Sequence, residues 1–131
     1  MFKESINGKE RVLLCVNASL QRKAKDLIIL NVKELSSFAD YFIICSGTSD
    51  RQVQAIAESI QGNLKEHGIL PLGVEGERTG KWVLMDYEDI IVHIFYEPIR
   101  EFYDIERLWS DAPRMEVGDD LTELKDLDKG M

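Results

Sequence analysis

The chain has 131 residues, of which 44% are hydrophobic and 31% are charged, and its formal net charge is −8. This length predicts a single domain with a sizeable hydrophobic core. The negative charge disfavours nonspecific nucleic-acid binding, which depends on neutralising phosphates. An acidic protein can still act beside RNA by docking on a basic protein there, because opposite potentials steer the encounter.

The sequence carries no sign of a membrane span or a secretory signal. No apolar run is long enough to cross a bilayer, and the opening stretch MFKESINGKERVLL lacks an apolar core followed by a cleavage site. Cys15 and Cys45 have neither metal-ligand nor CxxC spacing. We therefore interpret them as reduced, buried thiols of a cytoplasmic protein.

The first half of the chain predicts a helix followed by two strands. Asn7 and Glu10 have the spacing of a capping box, and apolar residues recur every fourth position after them. This pattern predicts a helix over Gly8 to Ala24. The apolar runs Asp26 to Val32 and Asp40 to Cys45 predict the two strands.

The stretch Ser46-Gly47-Thr48-Ser49-Asp50 predicts the start of a second helix. Ser49 is the predicted N-cap, with Gln52 at the reciprocal position of a capping box. Gly68 predicts the left-handed stop. Ile69 to Val74 then predicts a short strand, and Pro71 within it favours the edge of the sheet.

The stretch Lys81 to Tyr96, KWVLMDYEDIIVHIFY, predicts a β-hairpin whose turn lies around Glu88. On the first arm, alternation places Trp82, Leu84 and Asp86 on one face. Both faces of the second arm are largely apolar, which predicts a strand inside the sheet that is covered on each side. The first arm, with its tryptophan beside charged residues, is typical of a strand that meets a partner protein on one face.

The end of the chain predicts one more helix and an acidic tail. Pro98 fits the first position of a helix that ends near Trp109. After Pro113 the apolar density falls, and residues 116–131 carry six carboxylates and two lysines. We therefore predict a domain over residues 1–112 and a mobile tail over 113–131, with Leu121, Leu124 and Leu127 forming at most a weak helical stripe.

Two patterns could point to an enzyme. The SGTSD turn before a helix resembles an anion site, but it matches neither a Walker loop nor a GxGxxG fingerprint, and a capped helix explains it. A nucleotidyltransferase would also need closely placed carboxylates to hold Mg²⁺. Asp86 and Asp89 flank the hairpin turn instead, where acids are common. We therefore predict no catalytic residues, no metal and no cofactor.

Trp82 and His93 are the remaining candidates for a functional role. His93 lies in mid-strand without a neighbouring nucleophile, so we interpret it as a buried, hydrogen-bonded or contact residue. Trp82 fits a core position and an interface anchor equally well. Lys81, Leu84, Arg100 and Tyr103 could complete one contact patch with it if the hairpin and the last helix lie side by side.

Three separate motifs carry a family resemblance. The runs ADYFIICSGTSDRQVQAIAESI, GILPLGVEGERTGKWVLMDYEDIIVHIF and REFYDIERLWSDA closely resemble the ribosomal silencing factors, also called the Iojap-like family. They occur in the family's order and span about Val12 to Ala112. The family pattern usually has glycine in the hairpin turn, where this sequence has Glu88, so the turn geometry is open.

The resemblance implies an α/β fold, a small mixed sheet flanked by helices, similar to nucleotidyltransferases without their acidic pair. It implies binding to large-subunit ribosomal protein fourteen, a steric block of subunit joining under nutrient stress, and homodimers. It also implies that Trp82, Leu84, Asp86 and Tyr103 contact the partner. Two alternatives stay open: an assembly factor of the large subunit using the same contact, and a nucleotidyltransferase.

Overall fold

The computed structural model describes residues 7–118 and 122–127. These residues form four helices and seven strands, and all the strands belong to one sheet. In chain order the elements are α1 (Gly8–Gln21), β1 (Lys25–Asn31), β2 (Tyr41–Gly47), α2 (Asp50–Glu66), β3 (Gly73–Glu75), β4 (Trp82–Asp86), β5 (Ile90–Tyr96), α3 (Glu97–Tyr103), α4 (Ile105–Leu108), β6 (Arg114–Val117) and β7 (Leu124–Asp126).

The sheet is open and mixed, with the strand order β3-β4-β5-β2-β1-β6-β7. Strands β2 and β5 run parallel at its centre, and each other pair among the described strands is antiparallel. The sequence prediction of a small mixed sheet flanked by helices is confirmed. Strand β3 forms one edge of the sheet, as expected from Pro71 in this segment of the sequence.

The two faces of the sheet are covered differently. Helices α1 and α2 pack together on one face and bury the main core, which includes Val16, Ile43, Ile60 and Ile94. The opposite face has a smaller core, built on Phe42 and its neighbours and covered only in part by α3, α4 and the residues after them. This thin cover leaves strand residues of that face accessible.

The predicted helix starts are confirmed. The Asn7 side chain accepts a hydrogen bond from the backbone N–H of Glu10 at 2.8 Å, and the Glu10 carboxylate accepts one in return at 3.4 Å. Ser49 caps α2 by accepting from the N–H of Gln52 at 3.1 Å. The prediction that Gln52 completes a capping box is wrong. Its side-chain Oε1 accepts from the backbone N–H of Thr48, at 2.6 Å, and not from that of Ser49.

The predicted hairpin is confirmed, with β4 and β5 paired so that Leu84 lies opposite His93. Its turn is held by the Asp86 carboxylate, which accepts the backbone N–H of Glu88 at 2.8 Å. Glu88, which replaces the expected glycine, has φ +80°. This left-handed conformation is unfavourable for a residue with a Cβ atom.

Replacing Glu88 with glycine should therefore stabilise the fold. Glycine adopts positive φ without steric penalty, and we expect the free energy of unfolding to rise by about 0.5–1 kcal/mol. Urea unfolding measures the change. The matched control is Glu58→Gly, at an exposed position of α2, where glycine should instead destabilise the fold by about 1 kcal/mol. Equal effects of the two substitutions would contradict the assigned strain at the turn.

The predicted last helix is wrong in one respect, since it breaks in two. Asp104 adopts φ +45°, which ends α3 and starts α4 in a new direction. The break brings Glu106 back to Arg100, and Arg100 Nη2 lies 2.8 Å from Glu106 Oε1. That ion pair and the change of direction set how α3 lies on the sheet.

The predicted boundary at residue 113 is not seen in the described residues. Arg114–Val117 pairs with β1 and with Leu124–Asp126, so both segments extend the sheet. Met115 and Leu124 are buried in the core beneath α1 and α2. The sequence did not predict this pairing because β6 has only four residues, and its partner β1 is distant in sequence. Mobility of the tail stays a prediction, and Leu121 lies outside the described residues.

Candidate partner-binding site

Strand β4 presents one buried and one accessible face. Val83 and Met85 are fully buried under the helices, whereas Trp82, Leu84 and Asp86 on the other face are only partly buried. The alternation read from the sequence is confirmed. Because β4 is next to the edge strand, its open side lies at the margin of the thinly covered face.

Aromatic rings connect this strand to the rest of that face. Trp82 stacks on Phe95 with ring centroids 4.9 Å apart and contacts Tyr103 at 5.1 Å. The rings continue from His93 to Phe42 at 5.6 Å and from Phe42 to Trp109 at 4.7 Å. We define the aromatic face as these residues with their apolar neighbours: Phe42, Trp82, Leu84, Ile91, His93, Phe95, Phe102, Tyr103, Leu108 and Trp109.

Part of the aromatic face is strongly exposed. Phe102 is 77% accessible, Leu108 78% and Tyr103 52%. These three lie on the two short helices, neither of which buries a single residue fully. Of these three, the rings of Phe102 and Tyr103 lie 5.0 Å apart, and Tyr103 contacts Trp82. Exposed apolar side chains in contact with one another are typical of a protein–protein interaction site.

Trp82 is anchored and accessible at once, so neither of its two sequence interpretations holds alone. Its indole Nε1–H donates a hydrogen bond to Nδ1 of His93 at 3.1 Å. His93 itself is only 7% accessible. The interpretation of His93 as a buried, hydrogen-bonded imidazole is confirmed. Since Nδ1 accepts this bond, the neutral imidazole carries its proton on Nε2.

Burial lowers the pKa of His93 from 6.5 to about 4, because the apolar surroundings penalise the charged imidazolium. The unfolded chain binds this proton at a higher pH than the folded chain. Folding stability from this group is therefore present above pH 6.5 and falls as the pH drops towards 4.

We expect the free energy of unfolding to fall by about 2 kcal/mol more between pH 7 and pH 5 in the natural chain than in a His93→Asn variant. Asparagine offers an oxygen acceptor in place of Nδ1 and does not titrate. Urea unfolding at the two pH values measures both losses. Equal losses in the two proteins would show that His93 is not held neutral by the fold.

Acidic side chains border the aromatic face. Asp86 and Glu88 lie at the hairpin end, and Glu101 and Asp104 flank Phe102 and Tyr103 along the chain. The nearby cation of Arg107 lies 3.7 Å from the Asp104 carboxylate. Arg107 offsets only one of these four carboxylates. The acidic residues beside the aromatic face therefore favour a positively charged partner.

Two of the predicted contact residues, Lys81 and Arg100, make contacts within the chain. Lys81 precedes β4 on the side of α2, where its ammonium lies 4.0 Å from Asp50 and over the ring of Tyr96. The Arg100 guanidinium is turned inwards. It donates to the Asp26 carbonyl and to Ser46 Oγ, each at 2.8 Å, besides pairing with Glu106. A partner contact by Lys81 or Arg100 stays a prediction, and Arg100 already has a role in holding α3 to the sheet.

Several rings of the aromatic face are not evident as site residues from the sequence alone. Phe42 and Trp109 lie in contact although 67 positions separate them, and only the fold brings them together. The strong exposure of Phe102 and Leu108 is not evident from the sequence either, because the pattern predicts one continuous helix there. The break itself has one local signal, since aspartate tolerates positive φ better than most residues with a Cβ atom.

The patterns that could point to an enzyme have structural explanations. Ser49 is a helix cap, Asp86 holds the hairpin turn, and the Asp89 carboxylate lies 3.4 Å from Arg11. Within residues 7–118 and 122–127, no three His, Cys, Asp or Glu side chains are grouped as metal ligands. No helix of the same ranges is long and apolar enough to cross a bilayer.

The family model described as "Ribosomal silencing factor during starvation" matches residues 5–130. The chain belongs to the ribosomal silencing factor family. This family member is 40% identical over 126 residues to "Ribosomal silencing factor RsfS" of Bacillus subtilis, covering 96% of this chain and 98% of the relative. It is 41% identical over 112 residues to the protein of the same name from Halalkalibacterium halodurans, covering 86% and 96%. The resemblance drawn from the sequence is confirmed.

A solved structure supports the fold of this family member. The crystal structure of a Chromobacterium violaceum protein superposes with a TM-score of 0.76 at 42% identity, covering 77% of this chain and 84% of the other. A more distant relative, the mouse "Mitochondrial assembly of ribosomal large subunit protein 1", is 27% identical, and the match covers 82% of this chain and 48% of the mouse protein. The bacterial relatives are thus named as ribosomal silencing factors, and the mouse relative is named for mitochondrial ribosome assembly.

Proposed function

We propose that this protein represses translation in the cytoplasm by binding large-subunit ribosomal protein fourteen through the aromatic face. The bound protein would block association of the two ribosomal subunits. The observation that carries this proposal is the anchored but accessible Trp82 on a partly uncovered sheet face, in a chain that belongs to the silencing factor family.

The aromatic face has the composition expected of an interface centre. Tryptophan and tyrosine are enriched among residues that dominate binding energy, and Trp82 and Tyr103 are in contact here. Leu84 and Asp86 extend the same face along β4. A standard interface of about 1,600 Å² in total would include these residues and the exposed ends of α3 and α4.

Charge supports a ribosomal partner. Ribosomal proteins are generally basic, and this chain has a formal net charge of −8. Acids bordering the aromatic face would accelerate the encounter and favour one orientation, while the apolar centre supplies most of the affinity.

The proposed mechanism needs no covalent step. Two bodies cannot occupy the same surface of the large subunit, so inhibition follows the fraction of large subunits that carry the protein. The repression would therefore depend on the protein's concentration relative to its dissociation constant. Nutrient stress would act by changing that occupancy.

An assembly role is the second candidate, favoured by the mouse relative, which is named for assembly of the mitochondrial large ribosomal subunit. An assembly factor would use the same aromatic face on precursor particles. Sedimentation of cell extracts separates the two: silencing predicts the protein on mature large subunits, and assembly alone predicts it on precursors only. Homodimer formation stays a prediction in either case.

The proposal is tested by mixing purified subunits with increasing amounts of the protein and following their association by light scattering. We expect joined ribosomes to decrease as the protein approaches saturation. A Leu20→Ala variant is the control, because Leu20 lies on α1, across the sheet from the aromatic face. Undiminished association at saturating protein would exclude the silencing role.

A further inference from the structure

We propose that His93 is a positioning residue for Trp82, whose Nδ1 atom holds the indole in the orientation that the partner contacts. This inference rests on the proposed function and adds a residue to its site. The two side chains belong to neighbouring antiparallel strands. Trp82 pairs with Phe95 and Leu84 pairs with His93, so His93 is the diagonal neighbour of Trp82 on the same face.

His93 orients Trp82 through one hydrogen bond, which its Nδ1 atom accepts from the indole. The distance from Nε1 to Nδ1 is 3.1 Å, and the two ring centroids lie 6.0 Å apart. The rings of His93 and Phe95 lie at 11° to each other, so His93 is itself held in place by packing. Strand β5 fixes the acceptor, and the acceptor in turn fixes the indole.

An unfixed indole would bind less well. A tryptophan on an open face samples several rotamers, and binding must then select one of them at an entropic cost. The hydrogen bond to His93 selects that rotamer in the free protein. Stacking on Phe95 alone would not distinguish the indole from its flipped orientation, because the N–H points differently while the ring plane is kept.

The hydrogen bond also defines what the partner meets. The indole has one N–H group, and this group is used within the chain. The partner therefore contacts ring carbons, which favour apolar side chains or a cation above the ring rather than a hydrogen-bond acceptor. A basic ribosomal protein offers such cations.

The test compares His93→Leu, which removes the acceptor, with His93→Asn, which restores an acceptor oxygen at the position of Nδ1. His93→Phe serves as a second apolar replacement that keeps a ring. The first readout is made on the free, ¹⁵N-labelled protein. NMR follows solvent exchange of the two indole N–H groups, of Trp82 and Trp109, which a Trp109→Phe variant assigns.

We expect the Trp82 indole N–H to exchange about tenfold faster in the apolar variants than in the natural chain or in His93→Asn. The second readout is affinity for large ribosomal subunits, where the apolar variants should bind about tenfold more weakly and His93→Asn within about threefold of the natural chain. A merely structural role would not produce rescue by asparagine.

Natural affinity in a folded apolar variant would overturn the inference, and so would an asparagine variant that binds as weakly as the leucine variant. If the natural chain itself fails to bind large subunits, the proposed function fails. The exchange rates would still decide whether His93 holds the indole, so the two failures are distinguishable.

Discussion

Replacing Trp82 with alanine should weaken binding to large-subunit ribosomal protein fourteen by at least about 30-fold, which corresponds to about 2 kcal/mol. The indole contacts two other rings of the aromatic face, Phe95 and Tyr103. Its loss removes contact area and leaves Nδ1 of His93 without its donor. Isothermal titration calorimetry with the purified ribosomal protein measures the change.

Two further variants separate a contact role from a folding defect. Tyr103→Ala removes a ring that is 52% accessible and leaves no buried group unpaired, and it should weaken binding about fivefold to tenfold. Leu20→Ala removes an apolar side chain from α1 and should leave the affinity unchanged. Natural affinity in a folded Trp82→Ala protein would remove Trp82 from the site.

Replacing Gly76 with alanine should destabilise the fold by about 3 kcal/mol or more. Gly76 follows β3 and has φ +83°. A Cβ atom at this position would overlap the carbonyl oxygen of Trp82. The polar loop before the hairpin must therefore shift, and the start of β4 must shift with it.

Gly62→Ala is the matched control for this substitution. Gly62 lies inside α2, and a Cβ atom there would meet nothing within 4 Å apart from its chain neighbours and the nearby backbone of its own helix. Alanine should stabilise the fold by about 0.5–1 kcal/mol, because glycine is a poor helix residue. Thermal or urea unfolding of both variants measures the contrast. A Gly76→Ala protein as stable as the natural chain would contradict the close approach to β4.

The hairpin and α2 could be predicted from the sequence because their signals are local. Two-residue alternation in β4 places Trp82, Leu84 and Asp86 on one face, whatever surrounds the strand. The capping serine before α2 acts within three residues of itself. Such patterns are decided by neighbours along the chain, and the structure confirms them.

The features that were missed depend on contacts between distant residues. Strand β6 is short, and its place in the sheet is decided by pairing with β1, more than 80 positions earlier. The inward position of Arg100 depends on the break at Asp104, which brings Glu106 close despite a spacing that a continuous helix would not favour. Periodicity carries no information on either.

The site could be predicted in part for the same reason. Trp82 is a candidate from the sequence because a tryptophan beside charged residues in a strand is conspicuous, and its contact role stays a prediction. The hydrogen bond that anchors it to His93 requires the register of β4 against β5, in which His93 lies opposite Leu84. Register is a property of the pair of strands, and neither strand determines it alone.

The claim that repression is steric is tested most directly by measuring which particles carry the protein. Labelled protein is sedimented with free large subunits and, separately, with chemically crosslinked joined ribosomes. Steric exclusion predicts that the label moves with free large subunits and is absent from joined ribosomes at the same concentration. Equal binding to both particles would contradict it, because the aromatic face would then occupy a surface that subunit joining leaves open.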